Sequence, residues 1–149
     1  IFKTKIKKNN IENILKNFDI ICDGTDNFDS RYLINDYCLK HKKILISAAI
    51  NKLDGQVLSF DFKKKIPCFR CFMPEKPENE ISCESDGILP STAGIAGTLQ
   101  ANEVIKSILS LKNDMSGKIL IFNSLTCSFR KVKLTKNNKC INVCKKRFK

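Results

Sequence analysis

Long apolar runs, arginine and histidine are scarce in this chain. No apolar stretch approaches the roughly 18 residues that a membrane-spanning helix needs, so no membrane span is expected. The opening residues, Ile1-Phe2-Lys3-Thr4-Lys5, carry neither an apolar signal core nor an initiating methionine. The expectation is a portion of a longer polypeptide. Histidine occurs once, at His41, which is expected at the solvent side of a helix end rather than as a ligand. Only four of the 27 basic residues are arginine: Arg31, Arg70, Arg130 and Arg147. The net charge of +12 therefore rests on lysines, and these are scattered along the chain. A basic balance with no motif and no aromatic platform argues against a nucleic-acid partner; an acidic protein partner suits the charge equally well. Glycine is sparse, and no Gly-rich phosphate loop exists in the 149 residues. Gly94-x-x-Gly97 falls inside a helical pattern and is a poor substitute. Internal repeats and low-complexity linkers are also missing.

The length suits one domain with a proper core. The chain is organised around Asp19-Ile20-Ile21-Cys22-Asp23-Gly24-Thr25-Asp26-Asn27. Phe18 to Cys22 reads as a buried strand. The acidic turn that follows leads to a helix capped by Ser30 and running to about Lys40, with Leu33, Ile34, Tyr37 and Cys38 on one face. Strand, acidic turn and helix form one unit of an α/β sheet, whose ligands sit beyond the carboxyl ends of its strands. Asp23, Asp26 and Asn27 would there face a phosphate-bound Mg²⁺; alternatively, the two acids only shape the turn and cap the helix.

A short helix over 9–17 precedes this unit, with Ile11, Ile14 and Leu15 as its apolar stripe. Ile44 to Ile50 reads as a second buried strand, Asp54-Gly55 as a turn, and Gln56 to Phe62 as an alternating strand. Residues 73–84 read as an acidic loop. The longest helix is expected from Pro90 to about Leu111, with Ile95, Leu99, Val104, Ile105, Ile108 and Leu109 in helical spacing. Gly94 and Gly97 would let a neighbouring backbone pack closely. Lys118 to Phe122 and Cys127 to Leu134 form a hairpin about Asn123-Ser124.

Eight cysteines without a signal core point to a reducing, cytoplasmic setting. Cys68-x-x-Cys71 and Cys140-x-x-x-Cys144 are two close pairs, as in a structural zinc site of four cysteines, though buried free thiols are the other reading. Four thiolates leave no open position for catalysis. Cys83, in a loop before a helix, is a candidate nucleophile, with Glu80, Glu84 and Asp86 opposing thiolate formation. Cys22, Cys38 and Cys127 are expected to be inert packing.

Taken in order, Cys22-Asp23-Gly24-Thr25-Asp26-Asn27 with Arg31, Ser47-Ala48-Ala49, Asp54-Gly55-Gln56, Cys68 and Cys71, Cys83, Gly94 to Ala101, and Cys140 and Cys144 resemble the ThiF/MoeB/HesA adenylyltransferases, relatives of the ubiquitin-activating enzymes. The resemblance covers nearly the whole chain. It implies an α/β fold, the C-terminal half of a Rossmann-like ThiF/MoeB fold, with a mixed sheet, flanking helices and a four-cysteine zinc knuckle. Residues 1–149 would be a partial domain without its N-terminal ATP-loop half, inactive alone.

The resemblance further implies ATP and Mg²⁺ bound at Asp26, Asn27 and Arg31, Zn²⁺ at Cys68, Cys71, Cys140 and Cys144, and a catalytic Asp26. Cys83 would relay sulfur. The implied partner is a ubiquitin-like sulfur carrier, ThiS- or MoaD-like, whose C-terminal glycine is adenylated, in a homodimeric enzyme. Thiamine thiazole synthesis is favoured and molybdopterin comes next. The alternative is a non-catalytic, zinc-stabilised module that binds a ubiquitin-like protein.

Overall fold

The computed structural model of the chain describes residues 1–77, 87–112, 115–137 and 140. After α1 (Ile11–Leu15), a βαβ unit is formed by β1 (Ile20–Asp23), α2 (Phe28–Lys40) and β2 (Ile44–Asn51). β3 (Asp54–Asp61), α3 (Phe69–Phe72), α4 (Pro90–Ile108), β4 (Lys118–Asn123) and β5 (Ser128–Lys133) follow. The five strands make one sheet in chain order. β1 and β2 are parallel, while the remaining pairs are antiparallel. This is the expected mixed α/β architecture.

The inner strands are covered on both faces, successive side chains on a strand pointing opposite ways, while β5 is largely exposed. Leu45, Leu58, Phe60 and Ile119 pack with α1, α2 and α3. Their strand neighbours Ile46, Val57 and Phe122 pack with Ala96, Ile95, Leu99 and Val104 of α4. The periodicity of α4 is thus real, but only its first part is covered. Ile105, Ile108 and Leu109 are exposed, contrary to a single buried stripe.

Two boundaries differ from expectation for identifiable reasons. Asn27, not Ser30, caps α2: its Oδ1 accepts from Ser30 N at 2.9 Å. The β2–β3 turn is Lys52-Leu53 rather than Asp54-Gly55, since Asn51 and Asp54 are already paired. Gly55 lies within β3 opposite Phe122, where a Cβ would stand 2.1 Å from the ring's Cζ. Glycine is there to admit the ring, not to turn the chain. Gly94 and Gly97 show the reverse: a Cβ at either meets nothing within 4 Å among the described residues. They do not serve close packing here.

Candidate functional site

The turn after β1 is built on Asp23. Its side chain is buried and surrounded by donors. Oδ1 accepts from Thr25 N at 2.9 Å and Thr25 Oγ1 at 2.7 Å, and Oδ2 accepts from Ser47 Oγ at 2.7 Å. Arg31 Nη1 approaches Oδ2 at 3.3 Å. The same guanidinium donates to Ser47 Oγ at 2.9 Å, to the Ala48 carbonyl at 3.0 Å and to the Thr25 carbonyl. A buried carboxylate needs such a complete set of partners to stay in place.

Of the two readings of Asp23, the structure shows the turn-shaping one: its oxygens are bonded to Thr25, Ser47 and Arg31. Arg31 lines the cleft while its guanidinium also bonds the scaffold behind the turn. Asn27 is likewise engaged, through the cap and through Nδ2, which donates to Asp26 Oδ1 at 3.0 Å.

Asp26 alone of the turn's acids projects outward. It is exposed and borders a cleft of about 670 Å³. Its carboxyl is held below the ordinary value, chiefly by the Asn27 amide, so it is ionised at neutral pH. The cleft lies beyond the carboxyl ends of β1 and β2, where an α/β sheet binds ligands. Phe28, Phe69, Met73, Ile50 and Ile88 give it apolar walls, and Gln56 and Gln100 give it amides. Ala93, Ala96 and Gly97, at helical spacing on α4, keep one wall low. Among the described lining residues Arg31 is the sole cation. The cleft thus offers a carboxylate for a divalent ion and little positive charge for phosphates. No local signal in the sequence marks Phe69 or Met73 as wall residues.

Phe69 lies between the cysteines of the first pair, and Met73 follows them. Cys68 precedes α3 and Cys71 lies in it. α3 has only four residues and is held by α2: Phe69 N donates to Asn35 Oδ1 at 2.9 Å. Arg70 meets Asp36 through Nε at 3.0 Å and Nη2 at 2.9 Å, and its guanidinium lies 4.1 Å from the Tyr32 ring centre. The Asp36 carboxylate pushes the Arg70 pKa up. Tyr32 Oη donates to the Met73 carbonyl at 3.1 Å.

The thiols of Cys68, Cys71 and Cys140 lie within 4.8 Å of one another and are buried. Cys68 Sγ and Cys140 Sγ are 3.7 Å apart. Zn–S bonds of about 2.3 Å in a tetrahedron place sulfurs about 3.8 Å apart, so the spacing fits a zinc thiolate centre. Cys144, the expected fourth ligand, and Cys83 lie outside the described residues. Cys38 is buried and its thiol pKa is pushed up to about 12 by that burial, as suits inert packing. Cys22 and Cys127, expected to be packed, are exposed. His41 ends α2, its ring stacked on Tyr37 at 4.3 Å.

The profile of the ThiF family matches residues 1–143. The chain belongs to the ThiF family. It is 43% identical to a probable molybdopterin-synthase adenylyltransferase of Pyropia yezoensis, over 99% of this chain and 39% of that protein. It is 36% identical to the adenylyltransferase and sulfurtransferase MOCS3 of Drosophila virilis, over 93% of this chain and 31% of that protein. The fold is shared with E. coli MccB, crystallised with ATP, at a TM-score of 0.76 and 17% identity. That match spans 97% of this chain and 45% of MccB. This ThiF-family chain therefore spans well under half the length of these curated relatives. Among its described residues no helix is long and apolar enough to cross a membrane.

Proposed function

We propose that this ThiF-family chain is the metal-side and carrier-side portion of an ATP-dependent adenylyltransferase that activates the C-terminal glycine of a ubiquitin-like sulfur carrier. The observation that carries the reading is Asp26: an exposed, ionised carboxylate at a cleft mouth, on a turn locked from behind by Asp23, Arg31 and Ser47. The names of the relatives support molybdopterin synthesis as the pathway and a MoaD-like carrier as the partner. They lend nothing to the thiamine preference of the sequence reading.

In the proposed reaction an oxygen of the carrier's terminal carboxylate attacks the α-phosphorus of ATP. The new acyl–phosphate bond forms as the bond to the bridging oxygen breaks, and pyrophosphate leaves with that electron pair. The protein's task is positioning and charge neutralisation. Mg²⁺, when bound, would neutralise phosphate charge, and Asp26 is the residue that would hold it.

The matching cations would come from polypeptide beyond this sequence. β1 is paired only with β2 among the described strands, so its other edge is open to a further strand carrying the Gly-rich loop. Zn²⁺ at Cys68, Cys71, Cys140 and Cys144 would pin the α3 wall. Cys83 would relay sulfur, and the exposed Ile105, Ile108 and Leu109 suit a homodimeric assembly.

The test is ATP–pyrophosphate exchange by the full-length protein with a MoaD-like carrier ending in Gly-Gly. Exchange that requires the carrier and its terminal glycine is expected. Carrier binding without exchange would overturn the enzymatic reading. It would favour instead the zinc-stabilised binding module, for which the engagement of Arg31, the cleft's sole described cation, is the specific support.

A further inference from the structure

One long polar side chain on the cleft wall is not used in that account. The face of α4 turned to the cleft carries Ala93, Ala96, Gly97 and then Gln100. Three small residues leave room, and the fourth reaches across it. Gln100 Nε2 donates to the Asp23 carbonyl at 3.0 Å and to the Ile46 carbonyl at 2.8 Å. Asp23 is the last residue of β1, and Ile46 stands in β2 next to Ser47, the partner of Asp23 in the parallel register. Both N–H groups of one amide are thus spent on the last residue of β1 and on the β2 residue beside its register partner, behind the Asp26 turn.

We infer that Gln100 is a positioning residue of the cleft, which sets the Asp26 turn against α4. The inference rests on the reading that Asp26 holds a magnesium–nucleotide complex. Its physical basis is the link itself: one amide joins the backbone of Asp23, three residues before Asp26, to α4. Without it the backbone of Asp23 would lose that link, while its side chain still organises Thr25 and Arg31. Gln100 is only part-buried, so water can replace the lost donors. Removal of the amide therefore disturbs ligand geometry more than folding stability.

The test compares equilibrium binding of ATP to the full-length protein with and without Mg²⁺, in wild type, Gln100→Met and Gln100→Glu. Methionine keeps the length and lacks donors; glutamate keeps helix propensity and accepts where glutamine donates. Each variant is expected to lose about tenfold of the magnesium-dependent gain in ATP affinity, with metal-free ATP binding changed less than about twofold. A purely structural role would weaken both kinds of binding alike, and that result overturns the inference. So does a folded variant that keeps the full magnesium-dependent gain. If wild type binds ATP with no magnesium dependence, the Asp26 reading itself fails and this inference with it.

Discussion

Ser47 Oγ donates to Asp23 Oδ2 at 2.7 Å, joining β1 to β2 at the rung where Asp23 and Ser47 are register partners. The contact ties the last residue of β1 to its parallel neighbour and holds the acceptor that Arg31 also meets. Both side chains are buried, so the bond is not exchanged freely with water. Ser47→Ala should destabilise the fold by about 1–2 kcal/mol. Asp23→Ala should cost more, about 3–5 kcal/mol, because it strands the buried Arg31 guanidinium without its carboxylate. Urea unfolding of the two variants checks the order. Equal losses would mean that the ion pair contributes little beyond the hydroxyl.

Gly94 and Gly97 offer a clean steric comparison. Both lie inside α4, and both have open space where a Cβ would go. Only Gly97 borders the cleft. Replacing either with leucine should raise helix stability by up to about 1 kcal/mol, the usual cost of glycine in a helix. Gly97→Leu should in addition weaken ATP binding by at least about tenfold, while Gly94→Leu leaves it unchanged. Calorimetric titration of both variants with Mg-ATP is the measurement.

For the cysteine cluster, the S–S spacing predicts about one zinc per purified chain by metal analysis, with chelation loosening the fold. Cys71→Ser should lower both metal content and melting temperature. Because Phe69, inside the knuckle, and Met73, just after it, also line the cleft, metal removal should weaken ATP binding as well as stability. Metal-free protein of unchanged stability would remove the zinc assignment.

How much of this was legible in the sequence depends on whether the deciding force is local. β1, α2 and β2 announce themselves through apolar runs and periodicity, and the Cys68/Cys71 pair through its spacing. Asp54-Gly55 misleads because Asp-Gly is a strong local turn signal, while the need at Gly55 is set by the Phe122 ring from a strand far along the chain. The stripe on α4 is visible in the sequence, but the residues that find no cover, Ile105, Ile108 and Leu109, depend on how far the sheet extends beneath them. Asp23 and Asp26 look equivalent in the sequence. Their separation into a buried anchor and an exposed carboxylate at the cleft depends on Ser47 and Arg31, brought in by β2 and α2.

The ionisation of Asp26 gives a pH test. The Asn27 amide lowers its pKa below the ordinary value of 3.8. A lowered folded-state value means that any stabilisation from this group is present above pH 3.8 and disappears as pH falls through the lower folded value. Asp26 is fully exposed, so the effect on stability should be negligible. The carboxyl itself should titrate below 3.8 by carbon-detected NMR, and Asn27→Ala should move it back up.

The account stands or falls on whether Asp26 serves the nucleotide. The most direct measurement is ATP–pyrophosphate exchange by the full-length protein carrying Asp26→Asn, with its carrier present. Asp26 makes no core contact, so the variant should melt with wild type. Exchange should nevertheless fall by about 100-fold or more, as expected when a charge-organising group is removed from a phosphoryl-transfer site. Exchange at the wild-type rate would contradict the account.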